Sequence, residues 1–262
     1  MDKRSRQERI LERVMRDGDV SVESLAGEWS VSVMTIRRDL ADLSRRGRLN
    51  RRHGGAVPSR SGIVEFEFQT RRDQCAAEKQ AIARAVVERI QPGMAVGLDT
   101  GTTTLEVARI LPVDYKLTVL TTSLAVAAAL YAREDIEVVL LGGNVRKNCP
   151  DLTGPLTESN IRQFRMHRVV LGADAIQPDG IYTTDVRIAR LTRALIANAD
   201  EVILAADHRK FDNTAFVKCA EWDAVHTVVT DSGCPAKARA WMKKRKINVQ
   251  YVPVRSGGSR HA

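Results

Sequence analysis

A chain of 262 residues, 44% hydrophobic and 28% charged, has the composition of a folded, water-soluble protein: one large domain, or a small domain joined to a medium one. Its formal net charge of +9 favours nucleic acid or another anionic partner. No apolar run approaches the roughly 18 residues of a membrane-spanning helix, and MDKRSRQERILERV lacks the apolar centre of a secretory signal. Cys75, Cys149, Cys219 and Cys234 neither pair at CxxC spacing nor have neighbouring histidines to complete a metal pattern. A cytoplasmic protein with reduced thiols, no metal, no cofactor and no membrane contact is expected.

In chain order, three helices come first. One spans about Ser5 to Arg16 with Ile10, Leu11, Val14 and Met15 as its apolar stripe, and "DGD" ends it. The next starts at the N-cap Ser21 and turns Val22, Leu25, Ala26 and Trp29 inward. The third runs from the N-cap Ser32 to Gly47, a left-handed C′ position. "RLNRRHGGAV" then reads as a short hairpin. Only Ser30 and Val31 separate the second and third helices, the arrangement of a helix-turn-helix.

On a helical wheel Val33, Ile36, Leu40 and Leu43 gather on one face of the third helix, and Asp39 falls at its flank. Arg38 points away from that face, with Met34, Thr35 and Arg45 beside it and Arg37 at the other flank. Such a face, entered near Ser32, suits a DNA major groove: arginine bonds guanine, and threonine or methionine touches a thymine methyl. Arg51, Arg52 and His53 on the hairpin would form a wing against phosphate or a minor groove. From Arg37 to Arg52 seven arginines face two aspartates, a cationic excess that a merely solvated helix does not need.

"HGGAVPSRSG" marks a boundary near residue 58. Residues 1–58 are assigned to a winged helix-turn-helix domain (helix-turn-helix at about 20–39), 59–72 to a linker, 73–255 to an α/β domain and 256–262 to a flexible tail. In the α/β domain seven apolar runs at 94–99, 117–122, 136–141, 167–172, 201–206, 224–229 and 247–252 alternate with helical patterns. Their near-continuous Val, Ile and Leu content predicts a mostly parallel sheet covered on both faces. "GLDTGTTTLEVARIL" is a strand ending at Asp99, a small-residue loop and a helix. Thr100, Gly101, Thr102, Thr103 and Thr104 would cradle one phosphate at that helix's N-terminus. The loop has neither the P-loop lysine spacing nor GxGxxG, so a nucleotide is not implied. Gly142, Gly143, Gly172, Asp174, Asp207 and Lys210 stand at other strand ends and complete the candidate ligand site, with Lys79 and Arg146 as further candidates.

Val20 to Val57 resembles the N-terminal signature of the DeoR family of bacterial transcriptional regulators, through "TIRRDL", the "L..RG.L" spacing and "RHGGA". The resemblance continues in "EK..IA", "LDTGTTT", "LLGG", "LTGP", "LGAD", "ADHRKF" and "VTD", over nearly the whole chain. It implies a winged helix-turn-helix that binds double-stranded operator DNA, joined to an effector-sensing domain similar in fold to pentose-phosphate isomerases. Repression of a sugar or polyol catabolic operon, release by a phosphorylated sugar, and a homodimer or homotetramer follow from the same resemblance. The chain departs from the family's pattern at Thr122, Ala175, Arg187, Arg190 and Thr192. If the helix carrying the last three lines the pocket, the ligand carries a further anionic group or sensing is lost. The competing reading is a sugar-phosphate isomerase-like enzyme with Asp99, Asp174 or Asp207 as general base. No Ser-His-Asp spacing or metal cluster accompanies those carboxylates, and fold alone does not carry function. His167, His208 and His226 read as core or surface histidines.

Overall fold

The computed structural model describes residues 2–59, 68–146 and 149–254. The chain divides into two compact units, Met1–Asp73 and Gln74–Ala262. The proposed tail at 256–262 and most of the proposed linker lie outside the described residues.

In the first unit, α1 (Lys3–Asp17) starts at Asp2, whose carboxylate accepts from the Ser5 N–H, and stops at Gly18 with φ of 75°. After β1 (Val20–Ser21), Ser21 caps α2 (Val22–Trp29) by accepting from Ser24, and Ser32 caps α3 (Val33–Arg45) by accepting from Thr35. Arg46 is the C-cap of α3 and Gly47 follows at φ 69°, the left-handed turn that releases the chain into β2 (Leu49–Arg52). β3 (Gly55–Pro58) returns antiparallel to β2 and also pairs with β1, giving the order β1-β3-β2. Gly55 is required there, because an added Cβ would lie 2.0 Å from the Val20 carbonyl oxygen. Ile10, Val14, Leu25, Ile36, Leu40, Leu43 and Leu49 form this unit's core.

Two assignments on α3 change. Val33 is 37% exposed and lies outside the core. Asp39, placed at the flank by the wheel, is buried, with Oδ2 accepting from Arg6 and Oδ1 from Gln7 of α1. Partners on a neighbouring helix offset the cost of burying that charge, and a wheel drawn for one helix does not contain them. Residues 68–73, at the end of the proposed linker, are helical (α4), with Gln69 donating to Asp73 one turn on. The Gly- and Ser-rich composition that defined the linker ends before this turn.

The second unit is built on a seven-stranded sheet: β4 (Ala95–Leu98), β5 (Leu117–Thr121), β6 (Ile136–Leu140), β9 (Met166–Leu171), β12 (Ala199–Ala205), β14 (Thr227–Asp231) and β15 (Val249–Val252). All its pairings are parallel, in the order β15-β14-β12-β9-β4-β5-β6. These are the seven apolar runs, and the unbroken burial of Val202–Ala205 and Thr227–Asp231 shows that both faces are covered. The helices are α5 (Ala76–Val87), α6 (Thr102–Arg109), α7 (Leu124–Leu130), α8 (Pro155–Ile161), α9 (Val186–Ala197) and α10 (Ala236–Lys244). Two small sheets were not anticipated: β7 (Asn144–Val145) with β8 (Leu152–Thr153), and β10 (Ala175–Gln177), β11 (Gly180–Thr183) and β13 (Val217–Ala220) in an antiparallel trio. From β4 the chain steps to β5 and β6 on one side, then crosses to β9 on the other. The β4–β9 boundary is therefore the switch point, where open α/β sheets leave a crevice beyond their strand ends.

Candidate functional site

Each unit carries a candidate site. On α3, Ile36, Asp39, Leu40 and Leu43 face the core, so Arg37 and Arg38 project into solvent. Among the described residues neither arginine has an ion-pair partner. Met34, 53% exposed, lies on the same surface. Ser32 and Thr35 share a 2.8 Å hydrogen bond between hydroxyls, beside the backbone cap, so their side chains form a joined pair at the start of α3.

The remaining proposed DNA contacts divide. Arg45 is bonded to Asp42, which also holds Lys3, and Arg52 is bonded to Asp19. Both guanidiniums remain exposed but already face a carboxylate. Arg51 and His53 are exposed on the β2–β3 hairpin, and Arg51 has no ion-pair partner among the described residues. Among the described residues, Arg51 is the wing arginine without an ion-pair partner.

In the second unit the switch point brings two loops together. Asp99 follows β4; its Oδ1 accepts from the Thr100 N–H at 2.8 Å, and the Gly172 N–H at the end of β9 also bonds its carboxylate. Burial outweighs these bonds and pushes Asp99 up to about 7, so it holds a proton far more readily than an ordinary carboxyl. Gly101, at φ 148°, precedes α6, whose first turn has no side-chain cap. The N-terminus of α6 therefore faces the crevice with a glycine at its N-cap. Thr104 is buried and donates to the carbonyls of Asp99 and Gly101, so it shapes the loop and does not offer its hydroxyl outward. Thr103 is buried, and Thr102 opens the helix.

Thr100 donates to Asp151 at 2.8 Å. Asp151, fully buried, is gripped by the Arg146 guanidinium, with Nε to Oδ1 at 2.7 Å. Burial works against the Arg146 charge, but the hydrogen bonds and charge of Asp151 outweigh it and raise its pKa. Arg146 also reaches Asp185, which Arg187 holds from α9. A chain of alternating charges therefore runs from the phosphate-loop candidate to the start of α9. Arg187 joins the site this way, whereas Arg190 is exposed with no ion-pair partner among the described residues and Thr192 is buried in the helix face. Asp151 was missed in the sequence; its position directly before "LTGP" was the available signal.

Asp174 does not offer a free carboxylate. Its Oδ2 accepts from Thr183 Oγ1 and from the Thr184 N–H and hydroxyl. Burial opposes its ionised form, but these donors win and lower its pKa. Asp207 is fully buried beyond β12, and Oδ1 accepts from the Arg209 N–H and guanidinium. Its Oδ2 has no hydrogen-bond partner among the described residues, and neither has the Thr122 hydroxyl beyond β5. Lys210 has no ion-pair partner among the described residues, and its charge acts on Asp174 and Lys79. Lys79 is no surface charge: it is buried, donates to the Gln74 carbonyl at 2.7 Å, and is lowered to about 8 mainly by burial. Gly142 and Gly143 take positive φ beyond β6. A Cβ on Gly143 would lie 1.9 Å from Thr157 Oγ1, so this glycine serves close packing. His167 and His226 accept from the strand amides of Ala95 and Val202 and are structural.

A winged helix-turn-helix with an open cationic face, followed by an α/β unit with an uncapped helix at its switch point, defines a DNA-binding transcriptional regulator with a sensor domain. The family models agree: residues 6–61 match the DeoR-like helix-turn-helix domain and 74–232 the DeoR C terminal sensor domain. The chain belongs to the DeoR family. It is 35% identical over 252 residues to the glycerol-3-phosphate regulon repressor of Escherichia coli, covering 95% of this chain and 99% of that one. It is also 35% identical to the transcriptional repressor AccR of Agrobacterium fabrum, over 87% of this chain and 89% of that one. Among solved structures, ribose 5 phosphate isomerase A from Neisseria gonorrhoeae aligns with 53% of this chain and 54% of its own, at 18% identity and a TM-score of 0.37. The matched curated relatives are named as regulators of transcription, which sets the enzyme alternative aside. No helix among the described residues is long and apolar enough to cross a membrane.

Proposed function

We propose that this cytoplasmic protein represses a sugar or polyol catabolic operon and leaves its operator when a phosphorylated sugar enters the β4–β9 crevice. The observation that carries the DNA-binding half is the α3 surface, where Arg37 and Arg38 are exposed with no ion-pair partner among the described residues, while Arg45 and Arg52 already face carboxylates. Arg38 with Met34 reads bases, and Arg37 and Arg51 hold phosphates. On the sensor side, the phosphate sits on the first turn of α6 at Thr100–Thr103, and Lys210 supplies the positive charge. The unpartnered Asp207 Oδ2 accepts from a sugar hydroxyl, which would relieve a buried acceptor left unsatisfied by the protein. The name of the glycerol-3-phosphate regulon repressor is consistent with a small phosphorylated ligand. A homodimer placing one α3 in each half-site fits the symmetry that helix-turn-helix proteins impose on operators, and a homotetramer repeats that unit.

The test is a mobility-shift assay with DNA upstream of the chain's own gene and a panel of pentose, hexose and triose phosphates. Release by one phosphorylated sugar and not by its unphosphorylated parent is expected. Retention of DNA in the presence of every phosphate ester, with release by an unphosphorylated metabolite, overturns the phosphate assignment.

A further inference from the structure

Sequence spacing shows no metal pattern, yet folding assembles three donors of different types. Cys75 Sγ, a Glu78 carboxylate oxygen and a His208 ring nitrogen all lie within 4.8 Å of one another, each on a part-exposed side chain. Cys75 is the N-cap of α5, Glu78 lies in its first turn, and His208 opens the short helical turn beyond β12. We propose that these residues form a zinc-class divalent metal site, with Cys75 thiolate, Glu78 carboxylate and His208 imidazole as ligands and a fourth position open to water.

Three observations support this. First, the donor set is that of borderline metals: sulfur, imidazole nitrogen and carboxylate oxygen together are a zinc combination. With metal–ligand bonds of about 2.0–2.3 Å, ligand atoms of a tetrahedral site stand about 3.5 Å apart. Starting from separations within 4.8 Å, the cluster needs to contract by about 1.3 Å at most, a side-chain adjustment.

Second, His208 is already oriented as a ligand. Its Nδ1 is 2.9 Å from Asp231 Oδ2, and its backbone N–H donates to Asp231 Oδ1 at 2.8 Å. Asp231 is buried and also held by the Gly233 N–H at 2.9 Å. With the Nδ1 proton given to that carboxylate, the Nε2 lone pair is left for a metal: the carboxylate–histidine–metal relation of zinc proteins.

Third, Cys75 occupies the left-handed turn between α4 and α5, at φ 51°, and its side chain makes no cap to α5, so the thiol is not committed to the helix end. Nearby cations are turned to other acceptors: Lys79 donates to the Gln74 carbonyl, and Arg209 to Asp207 and Gln74. On binding, the metal displaces the Cys75 thiol proton to solvent. The site would pin the beginning of α5 to the end of β12.

The experiment uses the full, untagged, metal-free chain and needs no knowledge of operator or sugar. Titration with Zn2+ against a chromophoric chelator should give one tight equivalent per chain. Co2+ should add a thiolate-to-cobalt charge-transfer band and the visible bands of tetrahedral coordination. Cys75→Ser should abolish the charge-transfer band, and His208→Gln and Glu78→Gln should each weaken Zn2+ binding at least tenfold, with far-UV circular dichroism unchanged. Glu78→Gln, on a part-exposed side chain, keeps the test decisive if either other variant misfolds. No tight equivalent in the wild type, a charge-transfer band surviving in Cys75→Ser (assigning it to another thiol), or unchanged affinity in folded Glu78→Gln would each overturn the proposal.

Discussion

Arg37 and Arg38 are adjacent in the chain but about 100° apart on the helix, and that angle separates their chemistry. Arg38→Ala should cost roughly 1–3 kcal/mol of operator binding and relax discrimination at one base position. Fluorescence anisotropy with operator and scrambled DNA measures this; equal losses on both would make Arg38 a phosphate contact. On the wing, Arg51→Ala should flatten the salt dependence by about one unit of slope. Arg52→Ala should flatten it less, because Arg52 already bonds Asp19. The reverse ranking would mean that the Arg52–Asp19 pair opens on DNA. Asp99 shows the same dependence on surroundings. Its pKa stands near 7 against an ordinary 3.8, so the folded chain binds this proton more tightly than the unfolded chain. The associated stability is complete below about pH 4 and lost as pH rises through about 7. Asp99→Asn keeps the neutral form, so its stability relative to wild type should climb between about pH 4 and pH 8 in urea denaturation. A pH-independent difference would show that Asp99 ionises normally.

At the scale of elements, α3 presents two unlike faces. One is aliphatic and closed by a charge, because Asp39 joins α1 through Arg6 and Gln7. The other is cationic and open. Asp39→Ala would leave the largely buried Arg6 short of its carboxylate and should destabilise the first unit by about 3–5 kcal/mol. Asp42→Ala, whose partners Lys3 and Arg45 are exposed, should cost much less. Equilibrium unfolding followed by tryptophan fluorescence, with Trp29 packed on this core, compares the two; similar losses would refute the assignment of Asp39 as the tie between helices. In the sensor, α6 works by its end. The chain gives it Gly101 at the N-cap, which makes no side-chain cap.

For the whole molecule, regulation requires that a ligand in one unit alter DNA affinity in the other, so the ligand must distinguish two states of the chain. Thr102→Glu places a carboxylate at the first turn of α6, where it would occupy the anion's position. This variant should bind operator with unchanged affinity and fail to release it when the active sugar phosphate is added. Release at the wild-type concentration would move the ligand away from α6. Loss of operator binding itself would mean that the loop sets the DNA-competent state without a ligand.

All seven strands of the main sheet, the three N-terminal helices and the hairpin were legible in the sequence, because local periodicity and capping residues act over a few positions. The outward placement of Arg38 was legible for the same reason. The loop Asp99–Thr104 was identifiable from small residues between a strand and a helix, but its partners were not. Asp151, with Arg146, reaches it from the β7–β8 hairpin, and Asp185 ties Arg146 to the start of α9, while whether Asp174 or Asp207 is satisfied depends on donors in other elements. The small β10-β11-β13 sheet was missed because its short strands carry little periodic signal. Sequence alone therefore determined the family, the two kinds of domain and the cationic recognition helix, all written in neighbouring residues. Tertiary structure decided which arginines are free, which carboxylates are occupied, and that Cys75, Glu78 and His208 meet, because charge pairing and coordination depend on distance in space and not along the chain.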